Sequence, residues 1–159
     1  MSLAKITGRP EAEARVADWR AKNQAVVFTN GVFDVLHRGH VDVLAAARAH
    51  GDHLVVGVND DTSVQRLKGA SRPLVPLEDR MVVLAALECV DLVTAFSEDT
   101  PEDLILVLRP DVLIKGADYG AAEIAGAEFV RGYGGRVETI ALTPGRSTTA
   151  LVEKIRQGG

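Results

Sequence analysis

The sequence predicts a single α/β domain built on a doubly wound sheet of about five parallel strands. Two observations carry that expectation. Short, Val-rich apolar runs alternate along the chain with segments whose apolar residues recur at helical spacing, the pattern of right-handed βαβ crossovers. The 159 residues are 47% hydrophobic but only 4% aromatic. The core is therefore aliphatic, as suits a parallel sheet covered by helices on both faces. A chain of this length supports one sizeable core and leaves no room for a second.

Taken in order, residues 1–24 read as an N-terminal leader and an amphipathic helix, ahead of the main domain at 25–159. Ala25 to Thr29 is the first strand. The next helix opens near His37 to Gly39 and continues through Val41, Leu44 and Ala45. His53 to Val58 is the second strand. Asn59 to Arg80 reads as a flexible loop punctuated by Gly and Pro and carrying Arg66, Lys68 and Arg72. Arg80 lies one turn into a helix that keeps Leu77, Met81, Leu84 and Ala85 in phase. Asp91 to Phe96 is the third strand, and Pro101 can occupy the first turn of the helix through EDLILVL. Asp111 to Lys115 is the fourth strand, Ala121 to Tyr133 a helix, and Arg136 to Leu142 the fifth strand. GYGG near Gly132 precedes a strand rather than following one, so it marks a helix C-terminus and not a nucleotide loop. GRSTT then leads into a final helix. This order is Rossmann-like, and ligands in such sheets bind at the C-terminal ends of the strands.

Composition removes several classes. The formal net charge is −4, with no basic run, so the electrostatic footprint of a nucleic-acid binder is missing. Cys89 is the sole cysteine. It excludes an intramolecular disulfide and a Cys-based zinc cluster, and its apolar setting reads as core. No apolar run approaches the ~20 residues of a membrane span, and the start lacks a signal-peptide core. A cytoplasmic enzyme without nucleic-acid or membrane partners is the expectation.

The chemistry concentrates in TNGVFDVLHRGH, Thr29 to His40. It puts His37 and His40 three residues apart where a strand gives way to a helix, so both lie on one face of the first turn. Free backbone N–H groups and the positive end of the helix dipole attract anions there, and Gly39 lets a phosphate approach the backbone. A dipole's positive end disfavours protonated histidine, so the pair is neutral or compensated by bound anions. His50 and His53, beside Gly51, have no such context.

A second phosphate-handling element is Gly145 to Thr149. One hydroxyl suffices for an N-cap, whereas Ser147, Thr148 and Thr149 supply three, beside Arg146. Lys68 on a mobile loop can close over phosphates and neutralise their charge. Asp34 either shapes the nucleotide end of the site, helps hold Mg²⁺ indirectly, or simply forms a turn. Asp60 and Asp61 orient a ligand or cap the turn at Thr62. The carboxylates are scattered, so Mg²⁺ enters with the nucleotide rather than in a protein cage.

Gly31, Phe33, Asp34, His37, Gly39 and His40 together match a GxFDxxHxGH pattern, and the chain resembles the HxGH nucleotidylyltransferase superfamily. From about Val26 to Ile155 it is similar to the adenylyltransferase domain of ADP-heptose synthesis, on the strings FTNGVFDVLHRGH, VGVNDDTSVQRLKG, RPLVPLEDR, RPDVLIKGADY and GRSTTAL. The resemblance implies that ATP and a heptose 1-phosphate are condensed to ADP-heptose and pyrophosphate. It implies catalytic roles for His37, His40, Lys68 and Arg80. Nucleotide contacts would come from Thr29, Asn30, Gly31, Phe33, Asp34, Gly39, Lys115, Gly116, Asp118, Gly145, Arg146, Ser147, Thr148 and Thr149. Acceptor contacts would come from Asn59, Asp61 and Arg72. It also implies Mg²⁺ arriving with ATP, a homodimer, and a sugar kinase on a separate chain. Two other readings share these signatures: a glycerol-3-phosphate-type cytidylyltransferase and a nucleotide-binding sensor without turnover.

Overall fold

The computed structural model describes residues 2–116 and 124–158. The first helix, α1, is Arg9–Ala21, followed by β1 (Val26–Gly31), α2 (Arg38–Arg48) and β2 (His53–Asn59). Next come α3 (Asp61–Lys68), α4 (Leu77–Ala85), β3 (Leu92–Phe96), α5 (Glu102–Leu108) and β4 (Val112–Gly116). The chain closes with α6 (Ala127–Gly132), β5 (Arg136–Ile140) and α7 (Thr148–Gly158). The five strands form one all-parallel sheet in the order β3-β2-β1-β4-β5, so the expected doubly wound α/β fold is what the chain adopts.

Period-2 alternation distributes each strand between two cores. Val26, Phe28 and Val55 face α1, α5 and α6, where they pack with Val16, Leu104 and Val130. Val27, Leu54, Val56 and Val58 face α2 and α4, where they meet Leu44, Ala47, Met81 and Leu84. The starts of the strands are tied by aspartates from neighbouring elements. Asp52 accepts from Ala25 N–H, Asp111 from Val26 N–H and Asp91 from Leu54 N–H, at 2.7, 2.8 and 2.7 Å. Charge-assisted bonds of this kind satisfy amides at strand entrances that would otherwise lack a ladder partner.

The segment read as leader and helix packs into this same core. Ala12 and Val16 of α1 are buried, and Ile6 bridges in parallel to Val93. A second difference lies after β2. Asp61 to Lys68, expected as loop, is helix α3, because Asp60 caps it by accepting Ser63 N–H at 2.8 Å. That bond replaces an orphan amide of the first turn and settles Asp60 as a cap. Arg66 and Lys68 thus stand on a helix, and the connecting loop shrinks to residues 69–76. The helix ends at Gly69, whose φ of +102° suits glycine. The helix expected over Ala121 to Tyr133 is shorter: α6 begins only at Ala127, after Gly126 at a φ of +81°, and residues 121–123 lie outside the described residues.

Candidate active site

The sheet order reverses direction between β1 and β4, and at such a switch point the crossovers on either side diverge to leave a crevice above the strand ends. Asn30 and Gly31 end β1 there, and Lys115 and Gly116 end β4. Lys115 Nζ donates to Asn30 Oδ1 at 3.3 Å across the crevice, and burial pulls the lysine's pKa down. Thr29 does not present its hydroxyl to the crevice: Oγ1 donates to the Ile114 carbonyl at 3.0 Å and ties β1 to β4.

The histidine pair opens α2 as expected, with His37 as its N-cap. Two amides of this turn are already engaged, however. Gly39 N–H donates to His37 Nδ1 at 3.0 Å and His37 N–H donates to His40 Nδ1 at 3.2 Å, a reciprocal capping box made of imidazoles. The rings lie 3.9 Å apart, with Phe33 against His40 at 5.4 Å. Burial, and then the neighbouring His37, push His40 down to about 4; burial and then Arg146 hold His37 below its ordinary value. Both rings are therefore neutral at pH 7. With Nδ1 accepting, the proton sits on Nε2, leaving two Nε2–H donors for an anion.

The two signature segments converge at Gly39. A Cβ placed there would lie 2.8 Å from His37 Cε1 and 3.1 Å from Arg146 Cβ, so only glycine admits both neighbours. Thr148 Oγ1 donates to the Val35 carbonyl at 3.2 Å, and Thr143 Oγ1 to Asp42 at 2.7 Å, which fasten the GRSTT segment beside α2. Ser147 Oγ caps α7 by accepting Ala150 N–H at 3.0 Å. Gly145 takes a φ of +73° in the preceding turn.

Five expected contact residues instead build the walls. Asp34 is 1% exposed; its carboxylate accepts Arg72 Nε at 2.6 Å and the N–H groups of Leu74 and Val75. Burial opposes its ionisation, but these donors outweigh the penalty and hold its pKa low. Asp34 and Arg72 thus anchor the 72–75 loop, and neither a metal nor a base has a claim on that carboxylate. Asn59 Nδ2 donates to Ser63 Oγ, and its carbonyl accepts from Arg80. Arg80 is 0% exposed. Its guanidinium is spent on the carbonyls of Val75, Val32 and Asn59 and on Asp61 Oδ1, at 2.9, 2.7, 2.8 and 2.7 Å. It is a clamp between the loop after β1, the end of β2 and the 69–76 loop, rather than a group that reaches phosphate. Asp61 also accepts Leu77 N–H and so starts α4. Asp118 lies outside the described residues.

Two cavities meet at the switch point. One, of 310 Å³, is lined by Thr29, Phe33, Gly39, His40, Val43, Gly116 and Leu142. The other, of 460 Å³, is lined by Val32, Asn59, Leu67, Lys68, Asp99, Thr100, Pro101, Ile124 and Ala125. Asn30, Gly31 and Lys115 belong to both. The Asp99 to Pro101 wall was not singled out from the sequence, although it follows the C-terminal end of β3, the same rule that pointed to Asn59 after β2. A further 550 Å³ cleft lined by Arg20, Asp111 and Arg136 opens at the opposite, N-terminal ends of the strands, away from every signature residue.

A five-stranded switch-point sheet with a neutral, self-capped histidine pair beside a hydroxyl-rich helix start defines a Rossmann-like α/β protein with an anion-binding crevice. The chain belongs to the cytidylyltransferase-like family, whose model matches residues 28–151. It is 54% identical over 154 residues to the bifunctional protein HldE of Pseudomonas paraeruginosa, covering 97% of this chain and 32% of that protein. To HldE of Pseudomonas fluorescens it is 52% identical over 152 residues, with 96% and 32% covered. The chain thus spans about a third of the length of these curated relatives. Among solved structures, the lipopolysaccharide core biosynthesis protein from Thermoplasma volcanium matches with a TM-score of 0.60 and 28% identity over 76% of this chain and 97% of that one. The pantoate-β-alanine ligase from Francisella tularensis shares the fold at a TM-score of 0.62 and 15% identity, with 91% and 68% covered.

Proposed function

We propose that this chain is an adenylyltransferase that condenses ATP with D-glycero-β-D-manno-heptose 1-phosphate, giving ADP-heptose and pyrophosphate for heptose-containing glycans such as the lipopolysaccharide core. The observation that carries the reading is the pair of cavities sharing a rim at Asn30, Gly31 and Lys115, with His40 lining only one of them. ATP occupies the His40 cavity, its α-phosphorus at the rim, and the sugar phosphate occupies the other. An oxygen of the acceptor phosphate attacks the α-phosphorus, and the bond to the bridging oxygen of the β-phosphate breaks as pyrophosphate leaves. The nucleophile is already anionic, so no general base is required; positioning and charge stabilisation carry the rate. The Nε2–H groups of His37 and His40 donate to oxygens that gain charge in the transition state. Arg146 and Lys115 offset the charge of the polyphosphate, the Ser147 and Thr149 hydroxyls donate to it, and Lys68 meets the phosphates from the acceptor side.

Mg²⁺ belongs to the reading as an ion carried by the triphosphate, whose charge it would offset. Among the described residues no group of three or more His, Cys, Asp and Glu is placed to cage a metal, and Asp34 is committed to Arg72 and two amides. This donor set fits an ion held by the nucleotide with its own waters. A homodimer and a cytoplasmic setting, where ATP is supplied, complete the proposal.

The test is pyrophosphate release over a panel of sugar phosphates with ATP or CTP and Mg²⁺. Turnover of heptose 1-phosphate with ATP supports the reading. Preference for CTP with glycerol 3-phosphate, the reading that the family's cytidylyltransferase-like character favours next, replaces it. ATP binding without turnover of any acceptor makes the chain a sensor.

A further inference from the structure

The larger cavity is lined in part by an aspartate that adenylyl transfer does not itself require. Asp99 lines it with Asn59, Lys68 and Thr100, on a segment pinned at three consecutive residues. Arg66 of α3 donates through Nη2 to the Ser97 carbonyl and through Nε to Asp99 Oδ1 at 2.8 Å. Between them, Arg9 of α1 grips the Glu98 carboxylate at 3.0 and 2.9 Å. That hydrogen-bonded pairing holds Glu98 down to about 2. Ser63 Oγ donates to the Glu98 carbonyl at 2.9 Å. The Arg66 and Asp99 side chains are 46% and 65% exposed, and an ion pair so open to water adds little to stability. What the pair does achieve is to fix the direction of a carboxylate at the cavity wall.

We propose that Asp99, aimed by Arg66, is the specificity-determining residue that accepts hydrogen bonds from the hydroxyls of a polyhydroxylated acceptor. Charge sets the acceptor's polarity. A carboxylate repels phosphate and lysines attract it, so the phosphate enters toward Lys68 and Lys115 and the hydroxyl-bearing end lies toward Asp99. A carboxylate accepts from several donors at once, so an Oδ1 engaged by Arg66 leaves capacity for a vicinal diol. D-glycero-D-manno-heptose carries such a diol on its exocyclic carbons, whereas mannose has a single exocyclic hydroxyl. The inference rests on the larger cavity being the acceptor side in the function proposed above.

The experiment is steady-state kinetics with ATP and either the heptose 1-phosphate or β-D-mannose 1-phosphate, for wild type, Asp99→Ala, Asp99→Asn, Arg66→Ala and Arg66→Lys. Loss of a hydrogen bond to a charged acceptor predicts a roughly 10- to 100-fold rise in the heptose KM for Asp99→Ala. The preference over mannose falls by the same factor, while kcat and the ATP KM stay within about twofold. Arg66→Ala raises the same KM by less, since it removes only the aim, and Arg66→Lys restores part of it. An unchanged acceptor preference in Asp99→Ala, or a lower kcat at unchanged KM, overturns the proposal. A wild-type enzyme that uses neither sugar overturns the assigned acceptor instead. The variants are then read with CTP and glycerol 3-phosphate, itself a vicinal diol, where an unchanged acceptor KM in Asp99→Ala overturns the role of Asp99.

Discussion

The backbone N–H of His37 donates to Nδ1 of His40 across 3.2 Å, while Nδ1 of His37 accepts the N–H of Gly39 at 3.0 Å. Each ring spends its unprotonated nitrogen on the first turn of its own helix. The structural task thereby fixes the chemical one, because the remaining nitrogen, Nε2, carries the proton and faces any anion as a donor. Burial makes this durable: it holds His40 down to about 4 and His37 below its ordinary value.

Removing one preorganised donor to a developing phosphoryl charge costs ~10² to 10³ in rate. His37→Ala and His40→Ala are each expected to lower kcat by that factor while the ATP dissociation constant moves only a few-fold. Single-turnover rates beside ATP titrations separate the two quantities. Wild-type turnover in either variant removes the histidines from the chemistry.

The same burial makes stability depend on pH in a defined direction. Unfolded imidazoles take up a proton near 6.5, whereas His40 in the fold resists until about 4 and His37 is also held low. Between those values the unfolded chain binds more protons, so stability is full above 6.5 and declines as pH falls toward 4. Glu98 acts in a lower window. Its Arg9 partner holds it at about 2 against an ordinary 4.5, so the stability it contributes is lost between 4.5 and 2. Melting temperature against pH should descend in two stages, with His40→Asn shrinking the first and Glu98→Gln the second. An unaltered first stage in His40→Asn contradicts the assignment.

Arg80 offers a stability test of a residue that the sequence pointed to for chemistry. Its deletion leaves three carbonyls and the Asp61 carboxylate without their donor. Leaving buried carbonyls without their donor typically costs about 1–3 kcal/mol, while the Asp61 carboxylate, 44% exposed, regains water. Arg80→Ala should lose that much in urea unfolding. Arg80→Lys should recover only part of it, since an ammonium cannot replace a guanidinium fork spanning four acceptors. A fully stable Arg80→Ala variant with collapsed kcat would restore a direct catalytic role.

The strands and the histidine helix were legible in the sequence because each is written in local signals. Val-rich runs fixed β1 to β5 to within a few residues, and the HRGH spacing gave both ring positions. Helix α3 was hidden, because its short DTSVQRLK stretch carries only Val64 and Leu67 as large apolar residues and owes its start to one cap at Asp60. The duties of Asp34, Arg72 and Arg80 were hidden for a different reason. Apart from the Val75 carbonyl close to Arg80, their partners lie between 19 and 48 residues away along the chain, and a charged residue near a site reads as a ligand contact until its burial is known. The Asp99 wall has no motif; only the placement of β3 beside β2 brings it to the cavity.

Stereochemistry gives the sharpest check on the transfer itself. A covalent adenylyl-histidine would need an imidazole nitrogen with a free lone pair aimed at phosphorus. In both His37 and His40 that lone pair belongs to Nδ1, which is bound to a backbone amide, while Nε2 carries a proton. Attack by either ring would require breaking the helix cap and moving the proton, whereas the acceptor's phosphate oxygen is anionic from the outset. The two cavities lie on either side of a shared rim, which suits entry of the nucleophile opposite the leaving group. A single in-line displacement inverts configuration at phosphorus. Transfer from ATP made chiral at the α-phosphorus should therefore give inverted product. Retention would establish two successive displacements and require a nucleophile on the protein.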